Sequence, residues 1–124
     1  MYELRSDGQI TLPQGDTLLF KMNLTGEVFP EGSMAVFGIC NTKGASIFRK
    51  QFPVQDNTII IWLANADTRT LPVGKYRWDV RIVTDPEYGE DGVVRCEDES
   101  DNVISIFSGS GMPTFEVTEV AADV

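Results

Sequence analysis

The stretch "LPVGKYRWDVRI", residues 71–82, carries the pattern that decides the fold. A Pro-x-Gly corner leads directly into a segment in which large apolar residues alternate with charged ones. Strict alternation places successive side chains on opposite faces of a β-strand. We therefore expect a strand with one face in a core and the other in water. The expected core face carries Tyr76, Trp78, Val80 and Ile82, and the opposite face carries Lys75, Arg77, Asp79 and Arg81.

Other short segments, separated by turn residues, extend the strand pattern along the chain. Strands at this spacing without a long helical pattern indicate a β-sandwich or a small barrel. We expect an all-β fold, a single immunoglobulin-like antiparallel β-sandwich of about seven strands. The connection 65–74 is expected to contain one helical turn, and 93–96 is a weaker strand candidate. The other predicted strands are 10–12, 17–24, 33–41, 45–52, 57–64, 75–84, 103–107 and 114–120.

The chain has 124 residues, which fits one domain spanning 1–124, with a frayed tail at 121–124. Its hydrophobic content of 42% and charged content of 23% are ordinary for a globular domain. No apolar run reaches the roughly 18 residues of a membrane span. The start of the chain does not resemble a secretory signal. We therefore expect a protein made in the cytoplasm, which leaves it only inside an assembly.

The net charge of −9 is concentrated in one region, residues 85–102, which holds eight acidic residues and one basic residue. Such a balance disfavours a nucleic-acid partner, which requires clustered Lys and Arg. Plain solvation of this acidic region is favoured over calcium binding, because its spacing matches no helix-loop-helix calcium loop. A third possible role of the acidic region is electrostatic contact with a basic partner protein. The candidate contact residues are Asp85, Glu87, Asp91, Asp98, Glu99 and Asp101.

The two cysteines, Cys40 and Cys96, have both tryptophans between them, which faintly resembles an antibody domain. In antibody domains a tyrosine stands two residues before the second cysteine, and here Val94 occupies that position. Cys96 also lies in the acidic region and not in a convincing core strand. Given the reducing compartment expected for this chain, we predict free thiols.

Catalytic constellations are missing from the sequence. The chain has no histidine, the commonest general base and metal ligand. Its serine, threonine and cysteine residues therefore lack the usual partner base. The acidic residues crowd into loops, where no apolar pocket is evident to raise a carboxyl pKa. A phosphate-binding loop signature is also absent. We expect a protein that is not an enzyme and has no cofactor or metal.

Two strands are apolar on both faces, which a two-layer sandwich does not require. They are "MAVFGIC" (34–40) and "TIIIWLA" (58–64). Their second faces are covered either by the chain itself, through 65–74 or the acidic loops, or by another subunit. Contiguous exposed apolar patches mark interfaces, so Val36, Ile60 and Trp62 are candidate interface residues. Exposed aromatic rings such as Trp62 and Tyr88 offer an alternative, a platform for sugar rings.

The stretch D-T-x-x-L-P-x-G-x-Y-x-W-D-V, Asp67 to Val80, follows an earlier "QGDT" (14–17) and precedes a last strand ending in "VTEV" (117–120). In this order the chain resembles small immunoglobulin-like modules of bacteriophage and prophage virions. It is similar to the N-terminal module of upper baseplate proteins. The resemblance implies a non-enzymatic structural component of a tail or baseplate, located in the virion once assembled.

The same resemblance implies partners of one kind, other virion proteins or further copies of the chain, in a homo-oligomer or a larger assembly. It supplies no catalytic residues. The alternative function is a carbohydrate- or surface-binding β-sandwich module of a bacterial protein.

Overall fold

The computed structural model describes residues 2–5, 7–24, 28–95, 103–105 and 112–119. These ranges contain nine strands and one short helix. The predicted all-β sandwich is confirmed. The elements are β1 Glu3–Leu4, β2 Ile10–Pro13, β3 Leu18–Asn23, β4 Met34–Cys40, β5 Ser46–Pro53, β6 Thr58–Leu63, α1 Asn65–Thr68, β7 Gly74–Val83, β8 Val103–Ser105 and β9 Thr114–Thr118.

The strands form two sheets. The large sheet has the order β1-β2-β9-β7-β4-β5, and β8 pairs with β7. The small sheet consists of β3 and β6, paired antiparallel. Within the large sheet β2 and β9 are parallel, whereas every other pair is antiparallel. Almost the whole domain separates these two strands in sequence, so no hairpin forces them into an antiparallel arrangement.

The strand predictions from alternation agree with the structure to within one or two residues for β2 to β7 and for β9. The helical turn expected in 65–74 is α1. In the described part of the weaker candidate at 93–96, Val94 forms an isolated bridge with Tyr88, and Cys96 lies outside the described residues. β1 was not predicted, because a strand of two residues is too short to show a period. The predicted tail at 121–124 lies outside the described residues.

The core lies between the two sheets, and Trp78 of β7 is at its centre. The Trp78 ring is 5.8 Å from Phe20 of the small sheet, edge to face, and 5.6 Å from Phe37 of the large sheet. Its Nε1 donates a hydrogen bond of 2.9 Å to the carbonyl oxygen of Gly8. Only 2% of Trp78 is exposed. One side chain therefore contacts both layers and the N-terminal segment.

The corner before β7 is fixed by Tyr76, whose Oη donates a 2.7 Å hydrogen bond to the carbonyl oxygen of Pro72. A tyrosine that bonds back across this corner is a hallmark of immunoglobulin-like sandwiches. In antibody domains such a tyrosine stands two residues before the second cysteine. Here Trp78 stands two residues after Tyr76 and so occupies the place of that cysteine. Packing of Trp78 against Phe20 thus takes the place of the disulfide between the sheets.

The corner tyrosine of this chain is thus Tyr76, whereas Val94 stands two residues before Cys96.

At Val36 the second face of β4 is covered by the chain itself. Val36 is 6% exposed and packs with Val83 and Val94, the latter from the loop that follows β7. The side chain of Gln51 holds this loop, since its Nε2 donates to the Gly92 carbonyl oxygen and its Oε1 accepts from the Val94 N–H. Among the segments predicted to cover this strand, the acidic region is the one that packs on Val36, through Val94.

Replacing Trp78 with alanine should lower the free energy of unfolding by about 3–5 kcal/mol, because it empties the centre of the core. Trp62→Ala is the matched control, since 48% of Trp62 is exposed, and it should cost less than half as much. Urea unfolding followed by circular dichroism measures both. A loss below about 1 kcal/mol for Trp78→Ala would contradict the central position of this ring.

Candidate functional site

The outer face of the small sheet carries a contiguous set of exposed side chains. In the register of β3 and β6, Leu19 lies opposite Trp62 and Lys21 lies opposite Ile60. Leu19 is 58% exposed, Ile60 55% and Trp62 48%. Directly opposed side chains have Cβ atoms about 5 Å apart, so the four residues form one surface. We call Leu19, Lys21, Ile60 and Trp62 the small-sheet face.

The sequence of β6 explains how this surface arises. Ile59, Ile61 and Leu63 are fully buried against the core. The period of two in a strand then forces Ile60 and Trp62 to point outward. Neither residue belongs to the buried core, although the Trp62 ring contacts the core residue Phe52. No described residue buries them further.

The indole ring of Trp62 is held by two side chains of β5. The Nζ atom of Lys50 lies 3.2 Å from the ring centroid, and the Phe52 ring is 6.2 Å away, edge to face. A cation over an indole ring is attracted by its electron-rich face. One face of the ring is therefore occupied by the ammonium group, and the orientation of Trp62 is fixed before any partner arrives.

Lys50 is fixed in turn by Asp67 of α1, because its Nζ donates to Asp67 Oδ2 at 2.8 Å. The same oxygen accepts the Ala64 N–H at 2.9 Å. Burial on its own would raise the pKa of the Asp67 carboxyl. The hydrogen bonds from Lys50 and Ala64, with the charge of Lys50, outweigh burial and hold this pKa below its ordinary value of 3.8. Asp67 therefore stays ionised at neutral pH.

The edges of the small sheet are less open than its face. Leu24 donates its N–H to the Asn57 carbonyl oxygen, which sets the hydrogen-bonded rows of the ladder. Because these rows alternate, the backbone groups of Leu19 point away from β6. The hydroxyl of Tyr2 donates to the Leu19 carbonyl oxygen and so covers this edge. At the opposite edge Lys50 and Phe52 flank β6. The face, more than either edge, is available for contact.

The predicted interface residues divide between the two sheets. Ile60 and Trp62 lie on the small-sheet face, whereas Val36 lies on the other sheet and is buried beneath Val94. Leu19 completes the face and was not among the predicted interface residues. An apolar residue on the polar side of an alternating strand was the available signal.

The acidic contact residues lie partly outside the described part of the chain. Asp85, Glu87 and Asp91 are exposed in the loop after β7, and Asp91 Oδ1 accepts the Val93 N–H at 3.1 Å. Among the described residues no group of three or more Cys, Asp or Glu side chains is placed to hold a metal ion. The residues outside the described ranges are Cys96, Asp98, Glu99 and Asp101. Cys40 has a free thiol, as predicted, and the same expectation for Cys96 stays a prediction.

Comparison with known proteins gives no relative. No protein-family model, no curated protein and no solved structure matches the chain. The helix in the described ranges is a single turn. No helix of these ranges is long and apolar enough to cross a lipid bilayer. The resemblance of residues 67–80 to virion modules therefore stays a prediction.

The Asp67 pKa predicts how stability changes with acid. A carboxyl whose pKa is lower in the folded state stabilises the protein above its unfolded pKa, and this contribution is lost as the pH falls through the folded pKa. We expect the wild type to lose unfolding free energy more steeply than Asp67→Asn as the pH drops below 3.8. Asp56→Asn, a change in an exposed turn, should keep the wild-type profile.

Urea unfolding at a series of pH values measures this difference. Parallel profiles for the wild type and Asp67→Asn would show that the contact between Lys50 and Asp67 does not shift the pKa as described.

Proposed function

We propose that the protein is a non-enzymatic structural or assembly protein that binds a protein partner through the small-sheet face. One observation carries this proposal. Leu19, Ile60 and Trp62 form one apolar surface, and each side chain stays about half exposed in the folded domain. Solvent-exposed apolar patches on a folded domain mark interaction sites.

The chemistry of the face suits a protein partner. Tryptophan is among the residues that contribute most to binding at interfaces. Trp62 is already oriented by Lys50 and Phe52, which reduces the conformational entropy lost on binding. Completing the burial of Leu19 and Ile60 adds to the affinity in proportion to the apolar area removed from water.

We place this interaction in a phage or prophage particle, in the tail or baseplate region. The support is the resemblance of the stretch from Asp67 to Val80 to virion modules. The partner is then another virion protein or a second copy of the chain. The protein is made in the cytoplasm and carried in the assembled particle.

The alternative function, a carbohydrate- or surface-binding module, would use Trp62 as a stacking platform. Its ring is half exposed, but the Lys50 ammonium occupies one of its two faces. Tyr88 does not add to that platform. It pairs with Val94, which packs on the outer face of the large sheet, on the other side of the sandwich. Protein docking is therefore the better-supported function.

Co-sedimentation with induced particles tests the proposal. Tagged variants are expressed in the source organism, prophage is induced, and the protein in purified particles is quantified by mass spectrometry. We expect the wild type in stoichiometric amount. Ile60→Lys should reduce it about tenfold or more, a change equivalent to about 1.4 kcal/mol of binding free energy.

Val73→Lys is the matched control, since Val73 is an apolar residue with the same 48% exposure as Trp62 and lies in the corner before β7. It should leave incorporation unchanged. Wild-type incorporation of Ile60→Lys would contradict a role for the face. Absence of the wild type from particles, together with glycan binding that Trp62→Ala abolishes, would favour the alternative.

A further inference from the structure

A hairpin lies over the outer face of the large sheet, on the opposite side of the sandwich from the small-sheet face. Residues 87–95 fold back on themselves through two backbone hydrogen bonds. The Gly89 N–H donates to the Val93 carbonyl oxygen at 3.0 Å, and the Arg95 N–H donates to the Glu87 carbonyl oxygen at 2.9 Å. We call residues 87–95 the acidic hairpin.

Val93 projects outward from the acidic hairpin. Its neighbour Val94 is buried on the large sheet, where it packs with Val36. Because side chains alternate along an extended chain, Val93 points away from the sheet, and 48% of it is exposed. The bridge between Tyr88 and Val94 places Gly89 opposite Val93, so the position facing Val93 carries no side chain. Val93 is therefore a single apolar side chain that stands out from the surface.

The charged groups around Val93 are mostly acidic. Glu87, Glu90 and Asp91 are exposed in the acidic hairpin, which holds one basic residue, Arg95. Asp91 and Glu90 lie in the turn between the two arms, next to Val93 in the chain. The hairpin therefore combines an exposed apolar side chain with a local excess of negative charge.

The small-sheet face carries the opposite charge. Lys21 is the only charged residue in the sequences of β3 and β6, and it is exposed. The ion pairs among the described residues are Arg5–Asp7 and Lys50–Asp67, so the Lys21 ammonium group pairs with no described carboxylate. The face thus combines three apolar side chains with one cation.

We propose that the small-sheet face binds the acidic hairpin of a second copy of this chain. This inference rests on the proposed function, because it names the partner that the face binds. Val93 of one copy packs on the apolar side chains of the small-sheet face of the other, and the carboxylates of Glu90 and Asp91 approach Lys21. Opposite charges on the two surfaces select the partner and fix its orientation.

Contact between two small-sheet faces is the less favourable arrangement. It brings the Lys21 side chains of both copies to one interface, where neither β3 nor β6 offers a carboxylate. Like charges across an interface disfavour that pairing. The small-sheet face and the acidic hairpin lie on opposite sides of the sandwich, so each copy keeps one surface available after the first contact. Such head-to-tail contacts produce a ring or a filament.

Mixing two blocked variants tests this contact. Ile60→Lys blocks the face, Val93→Lys blocks the hairpin, and sedimentation velocity measures their association. We expect the wild type to form species larger than a dimer as its concentration rises, and each variant to self-associate at least about tenfold more weakly. An equal mixture of the two variants should form a heterodimer and nothing larger, because one intact face then meets one intact hairpin. The heterodimer also shows that both variants are folded.

Two exposed residues outside both surfaces supply matched controls. Val73→Lys introduces the same side chain in the corner before β7 and should self-associate like the wild type. Lys21→Glu should weaken self-association several-fold, because it places a carboxylate opposite the acidic hairpin. Lys43→Glu makes the same change of net charge in the turn between β4 and β5 and should leave self-association unchanged.

The inference is overturned if the wild type stays monomeric at about 1 mM, or if the mixture of Ile60→Lys and Val93→Lys does not associate. Wild-type association of Val93→Lys beside a monomeric Ile60→Lys would also overturn it, since two faces would then meet each other. If the wild type is monomeric but its incorporation into particles still depends on Ile60, the face binds a different protein and the proposed function stands. Wild-type incorporation of Ile60→Lys would contradict the proposed function itself.

Discussion

The indole ring of Trp78 is the contact on which the two-layer structure depends. The small sheet has only two strands, and a two-stranded sheet is marginally stable unless it packs on something else. Its attachment rests on packing across the interior, where Trp78 meets Phe20 from one layer and Phe37 from the other. Antibody domains join their sheets with a disulfide near this position. An aromatic contact needs no oxidising compartment.

A stable interior leaves the outer faces free to differ from each other. The outer face of the small sheet is apolar, with Trp62 fixed by Lys50. The outer face of the large sheet carries Arg49, Arg77, Asp79 and Arg81. Both are surfaces that the core does not dictate. A domain with two chemically distinct faces suits a protein that connects neighbours in an assembly, which is the role proposed for it.

The sequence predicted most where one local pattern determined the outcome. Strict alternation located β7 and its buried face, and the run from Ile59 to Leu63 revealed a strand with two apolar faces. Such patterns within one strand do not predict contacts between distant segments. The cover of Val36 depends on hydrogen bonds between the Gln51 side chain and the loop at Val94, 43 residues away. Leu19 joins Trp62 only through the register of β3 and β6, which no single strand specifies. The hydrogen bond from Tyr76 to the Pro72 carbonyl oxygen likewise depends on the geometry of the corner, which alternation does not show.

The coupling between Phe20 and Trp78 tests the central claim most directly. In a double-mutant cycle with Phe20→Leu and Trp78→Leu, the unfolding free energies of four proteins give the interaction energy between the two rings. Because the rings meet edge to face across the two sheets, we expect a favourable coupling of about 0.5–1.5 kcal/mol. Additive effects, with a coupling near zero, would show that the sheets are held together by general burial and not by this contact.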